Sequence, residues 1–133
     1  MITWSSRKQS SVAQSTAESE YVAAASCCSQ ILWIVAILKD YGVNLNSVPL
    51  FCDNTSAISI AKNPVQHSRT KHIDVRYHFL RDNYEKKNIS LHHVETEHQL
   101  ADIFTKPLDS SCFAYLRGEL EVCLLYTSDA ADE

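Results

Sequence analysis

STAESEYVAAASCCSQILWIVAIL, residues Ser15 to Leu38, contains neither Gly nor Pro, and its second half is apolar on every side. Ser15 and Glu18 have the S-x-x-E spacing of a capping box just ahead of the apolar run, which predicts a helix start. Lys39-Asp40-Tyr41-Gly42 predicts its end, with Gly42 suited to the left-handed residue that follows a helix. A helix of this length runs about 38 Å at about 1.5 Å per residue. Being apolar all round, it belongs in a domain interior, laid across something flat. Val48-Pro49-Leu50-Phe51-Cys52, a short apolar run ended by Asp53, reads as a buried strand of the sheet beneath it.

Working outward, Ile2 and Trp4 alternate with polar neighbours in the Ile2 to Lys8 stretch, a short strand signal. Asn54-Thr55 caps a second helix, Ser56 to Lys62, and Asn63-Pro64 stops it. Thr70 to Lys87 places Ile73, Tyr77, Leu80 and Tyr84 on one stripe of an amphipathic helix. Ile89 to Val94 reads as a strand, Glu97 to Lys106 as a short helix ended by Pro107, and Asp109 as the cap of a last helix carrying Phe113, Leu116 and Leu120. Strands alternating with helices predict an α/β architecture.

The 133 residues suffice for one domain, and 45% hydrophobic content is that of a globular chain. The longest uninterrupted apolar run, Ile31 to Leu38, is short of a membrane span, and no signal-peptide pattern opens the chain. The expectation is therefore no membrane partner. Five Cys without regular spacing predict reduced thiols in a cytoplasmic or nuclear setting, with Cys27 and Cys28 as small core residues. Net charge is −4, but seven basic residues against three acidic ones lie between Lys62 and Lys87. Such local clustering is what a nucleic acid meets, although a solvated helix face looks the same. His67, His72 and His78 lack flanking Cys pairs, which argues against a zinc finger.

Three acids stand out by position. Glu20 lies in the first turns of the long helix, Asp53 at the end of the Val48 strand, and Asp102 in the QLAD stretch of the short helix. Ligands in open α/β sheets bind at the carboxyl ends of strands. Clustered carboxylates suit hard dications such as Mg²⁺, and two ions about 4 Å apart can drive phosphodiester hydrolysis. Scattered acids alone are ordinary surface charges.

The motifs give these acids a context. ITWSSRKQSSVAQSTAESEYVAAA, LFCDNTSAISIAKNPVQHSRTKHIDVRYHFLRD and HHVETEHQLADIFTKPL closely resemble the C-terminal ribonuclease H domain of copia-type retrotransposon polyproteins. The resemblance covers residues 2–122. It implies a ribonuclease H-like fold with a mixed sheet and flanking helices, cutting the RNA strand of RNA–DNA hybrids with two Mg²⁺ or Mn²⁺ ions. It assigns Glu20, Asp53 and Asp102 as the catalytic and metal-binding residues. The family's A-E-aromatic-x-A pattern fits Glu20 better than Glu18, whose role is already explained by the capping box. Arg69, Lys71, His72 and Arg76 then become nucleic-acid contacts. The implied partners are the hybrid and the remainder of the polyprotein, within the element's virus-like particle. The resemblance places the Ile2 stretch at the family's third strand, so the expected fold is incomplete, with the first two strands and the first-strand Asp missing. The alternative that follows is an inactive remnant, or a weak nucleic-acid-binding fragment. Residues 123–133 break the pattern and read as a foreign tail, resembling a translated sequencing adapter, which leaves 1–122 as a partial domain.

Overall fold

A computed structural model describes residues 3–9, 15–63 and 78–121. They fall into two compact units, Gln9–Glu95 and Met1–Lys8 with Thr96–Glu133.

The larger unit opens with α1 (Thr16–Asp40). Ser15 is extended, and its Oγ accepts the Glu18 N–H at 3.2 Å, which satisfies one of the orphan donors at the helix start. At the other end Gly42 takes φ +83°, a conformation strained for any residue with a Cβ. The Gly42 N–H then reaches Lys39 O at 3.0 Å and the Val43 N–H reaches Leu38 O at 2.8 Å, which is a Schellman closure. Next come β1 (Val48–Cys52), α2 (Thr55–Lys62), α3 (Phe79–Glu85) and β2 (Ile89–His93). β1 and β2 pair in parallel, from Val48 opposite Ile89 to Cys52 opposite His93. A parallel pair needs a crossover connection, and α2 and α3 lie within it.

Strand alternation sorts the side chains. Leu50, Cys52, Ile89 and Leu91 are buried, while Phe51 and His92 face the other way with ring centroids 5.7 Å apart. The buried set meets Tyr21, Val22, Ala25 and Cys28 of α1, Ala57, Ile60 and Ala61 of α2, and Leu80 of α3. Spacings of one, three and four residues on α1 place those four on one face. Arg81 ties α3 to the end of α2: its Nη2 donates to Asn63 O at 2.6 Å and to Ile60 O at 3.4 Å. Asn83, also buried, donates to Phe79 O and accepts from Asn88 Nδ2, both at 2.9 Å, and so fixes the turn that leads into β2.

In the smaller unit, 3₁₀ turns span Thr96–His98 and Leu100–Phe104. They precede α4 (Ser110–Glu119), where Asp109 Oδ1 caps the Cys112 N–H at 2.8 Å and Leu116 is buried. Trp4 stacks on Phe104 with centroids 4.6 Å apart and planes 7° from parallel.

Several expectations need correcting. Residues 3–8 form no strand: a strand needs a ladder partner, and the one sheet among the described residues holds only β1 and β2. That sheet is purely parallel where a mixed one was expected. The Glu97–Lys106 helix is 3₁₀ rather than α. The second half of α1 is not interior. Trp33 is 64% exposed, and Ile34 and Ile37 are only half-buried. The reason is length: five-residue strands span about 17 Å, so a helix of about 38 Å overhangs the pair. By length and composition α1 could also cross a membrane; here its first half packs on the sheet instead. Cys28 is buried as expected, but its neighbour Cys27 is exposed. Of the Thr70–Lys87 helix, α3 carries Leu80 and Tyr84 on the expected side; Ile73, Tyr77 and the 123–133 tail lie outside the described residues.

Candidate metal centre

β1 ends at Cys52, and the chain turns at once into α2. Asn54 is extended and its Oδ1 accepts the Ala57 N–H at 3.0 Å, so Asp53 is held between a strand end and a helix cap. The strand end is pinned as well, since the Val94 N–H donates to Cys52 O at 3.1 Å. Across from it, α1 presents Glu20 one turn in from its start. Carboxylate oxygens of Glu20 and Asp53 and the sulfur of Cys52 all lie within 4.8 Å of one another. Both acids are half-buried and Cys52 is buried.

Glu20 is thus the α1 acid that meets Asp53. Glu18, two residues earlier, turns into the protein to 7% exposure beside the cap. A helix advances about 100° per residue, so acids two apart cannot share a face. Asp102 lies in the smaller unit. It is 8% exposed and accepts from Lys106 Nζ at 3.1 Å, an i, i+4 ion pair across the end of the 3₁₀ turn. In the same unit His98 Nδ1 lies 3.1 Å from the Tyr115 hydroxyl.

Cys52 joins the cluster through a signal that the strand pattern did carry: it alternates with Phe51, so its side chain faces α1. Burial pushes the Cys52 thiol up, opposed by the Asn54 backbone and reinforced by the charges of Glu20 and Asp53; its S–H lies 3.6 Å from Asn54 O. A hard dication is suited by the two carboxylates and not by a protonated, core-facing thiol. The donor set therefore fits Mg²⁺ or Mn²⁺ through Glu20 and Asp53, with Cys52 as part of the wall.

The proposed nucleic-acid contacts Arg69, Lys71, His72 and Arg76 lie outside the described residues. Arg81, counted in the same basic run, is committed to the Ile60 and Asn63 carbonyls. Lys62 Nζ sits 5.5 Å from the centroid of the Tyr84 ring.

Comparison with curated proteins places the chain. Over 122 residues, 91% of the chain, it is 40% identical to the retrovirus-related Pol polyprotein from transposon RE1 of Arabidopsis thaliana. It is 42% identical to that from transposon RE2 of the same plant over 84% of the chain, and 37% identical to that from transposon TNT 1-94 of Nicotiana tabacum over 92%. The chain belongs to the Pol polyproteins of copia-type retrotransposons. It spans under a tenth of the length of these Pol relatives, 8% or 9% of each. No family model and no solved structure matches.

Proposed function

We propose that this Pol segment is part of a ribonuclease H-like domain that hydrolyses the RNA strand of RNA–DNA hybrids with two divalent metal ions. The observation that carries the reading is the approach of Glu20 on α1 to Asp53 at the end of β1, within 4.8 Å. Helix acid and strand-end acid meet where a parallel sheet receives its ligands. Mg²⁺ or Mn²⁺ bound there supplies electrophilic stabilisation of phosphate oxygens and an activated water. Glu20 and Asp53 hold the ions, and the Asn54 cap and the Val94–Cys52 hydrogen bond keep Asp53 in place. Asp102 is the third carboxylate of the same reading. Within its own unit it is paired with the Lys106 ammonium at 3.1 Å.

Hydrolysis of a labelled hybrid by the purified chain, with Mg²⁺ or Mn²⁺, tests this. Metal-dependent cleavage of the RNA strand that Asp53→Asn removes, with duplex DNA untouched, supports it. Hybrid binding without cleavage in either metal supports the inactive, nucleic-acid-binding alternative. Cleavage that survives Asp53→Asn would overturn the assignment of the site.

A further inference from the structure

We propose that Trp4, stacked on Phe104, is a platform for an unpaired nucleobase, and that Arg7 and Lys8 take phosphates of the same strand. Every residue of the platform belongs to the smaller unit, which does not contain Glu20 or Asp53. The two ring planes are 7° from parallel, with centroids 4.6 Å apart. Phe104 thus occupies one face of the indole, and Trp4 keeps 56% of its surface in water. An indole is among the side chains that gain most from burial, yet here it lies flat and open. Its support is fixed. Phe104 ends the 3₁₀ turn Leu100–Phe104, which the Thr105 and Lys106 N–H groups close onto Asp102 O at 3.1 and 2.9 Å. Lys106 Nζ also reaches the Asp102 carboxylate at 3.1 Å. A platform held in place before its ligand arrives loses little freedom on binding.

Shape and charge choose the ligand. A parallel stack is extended by another flat ring, and every nucleobase offers such a face. A base inside a duplex has both faces covered by its neighbours, so the platform takes a base from a single-stranded stretch. Arg7 and Lys8 follow three and four residues after Trp4, are exposed, and are committed to no carboxylate among the described residues. At no more than about 3.6 Å per residue their backbones lie within about 14 Å of Trp4, in reach of the strand that carries the stacked base. The carboxylate nearest Phe104 in the chain, Asp102, is already matched by Lys106. Aromatic stacking beside free cations is the combination that holds single strands without reading their sequence. The inference rests on the reading of this segment as one that acts on nucleic acid. It adds a contact for strand beyond the hybrid and uses neither metal ion.

Oligonucleotide binding to the whole chain, in the presence of a chelator, tests it. A single strand carrying one 5-iodouracil is bound and irradiated, and the cross-linked residue is found by mass spectrometry. The cross-link is expected on Trp4. Cross-links that avoid Trp4 overturn the proposal, and this arm alters nothing in the protein. In filter binding, Trp4→Ala should lose affinity for the single strand about tenfold, and Trp4→Phe, which keeps a flat ring, should recover most of it. Arg7→Ala should reduce the salt dependence by about one phosphate contact. Equal affinity of Trp4→Ala and wild type, or a preference for the blunt duplex of the same sequence, overturns the proposal. Asp53→Asn should bind the single strand as the wild type does. Hybrid cleavage without single-strand binding at Trp4 would remove this inference alone; binding at Trp4 without cleavage would count against the hydrolytic reading alone.

Discussion

Glu20 and Asp53 approach within 4.8 Å although the whole of α1 beyond its first turns, a loop and β1 separate them in the chain. Neighbouring Glu18 is instead buried beside the Ser15 cap. The two α1 acids should therefore respond oppositely to the same substitution. Glu20→Ala should lower Mn²⁺ affinity at least about tenfold with little change in stability. Glu18→Ala, which removes the side-chain half of the capping box, should leave Mn²⁺ affinity alone and cost about 1 kcal/mol of folding stability. Water proton relaxation titration and urea unfolding of the two variants check this; an exchange of the two phenotypes would place the metal on the other helix face.

Asn54 closes β1 into α2 and does so through one side-chain oxygen. Asn54→Ala should cost about 1 kcal/mol. Because Asp53 is the residue just before it, the same variant should weaken Mn²⁺ binding. Asp109→Ala removes an equivalent cap from α4 and should cost a similar amount without touching Mn²⁺ binding at the Glu20–Asp53 pair. Thermal melts and metal titrations of the two variants separate the local loss from the loss at the site.

Arg81→Lys is a less conservative change than its charge suggests. One Arg81 nitrogen, Nη2, holds both Ile60 O and Asn63 O, and a Lys ammonium ends a bond short of that position on a more flexible stem. The expected loss is about 1–2 kcal/mol, as carbonyls at the end of α2 lose a charged donor. Urea denaturation measures it. An unchanged midpoint would mean that solvent replaces the guanidinium at no cost.

Alkaline pH should lower the stability of the chain over two overlapping windows, set by Cys28 and Tyr21. Burial raises the Cys28 thiol from 9.0 to about 11, and burial, opposed by Arg81, raises the Tyr21 hydroxyl from 10.0 to about 12. Both groups keep their protons longer in the folded chain than in the unfolded one. Their stability is fully present below about pH 9 and is lost as pH rises through about 11 and 12. Each contributes a slope of at most about 1.4 kcal/mol per pH unit inside its own window. Tyr21→Phe should remove the upper window and leave the lower. Urea midpoints across the alkaline range measure both.

Local signals were legible where a side chain answers to its own neighbours. The Ser15 cap, the Gly42 stop, the Val48–Cys52 strand and the Asp109 cap all depend on residues within a few positions, and each is where the pattern put it. The pairing of Glu20 with Asp53 was reachable only through family resemblance, since no local rule brings a helix face to a strand end. The failures are of the opposite kind. Ile2 to Lys8 has a strand's alternation, but alternation cannot supply a ladder partner. Apolarity on every side of α1 said nothing about how far the sheet beneath it extends, and so Trp33 was placed inside. Cys52 was read as one of several small reduced thiols; its meeting with two carboxylates depends on which way β1 faces, and on Glu20 arriving from elsewhere in the chain.

The chain has two tryptophans, and they divide between the two units. Trp33 stands largely in water on α1, while Trp4 lies face to face with Phe104 in the unit that contains Asp102. Each unit thus carries its own fluorophore, in an environment unlike the other's. Trp33→Phe leaves emission from Trp4 alone, and Trp4→Phe leaves emission from Trp33 alone. Followed side by side through a melt, the two single-tryptophan chains record whether the halves lose structure at one temperature or at two, without any added label.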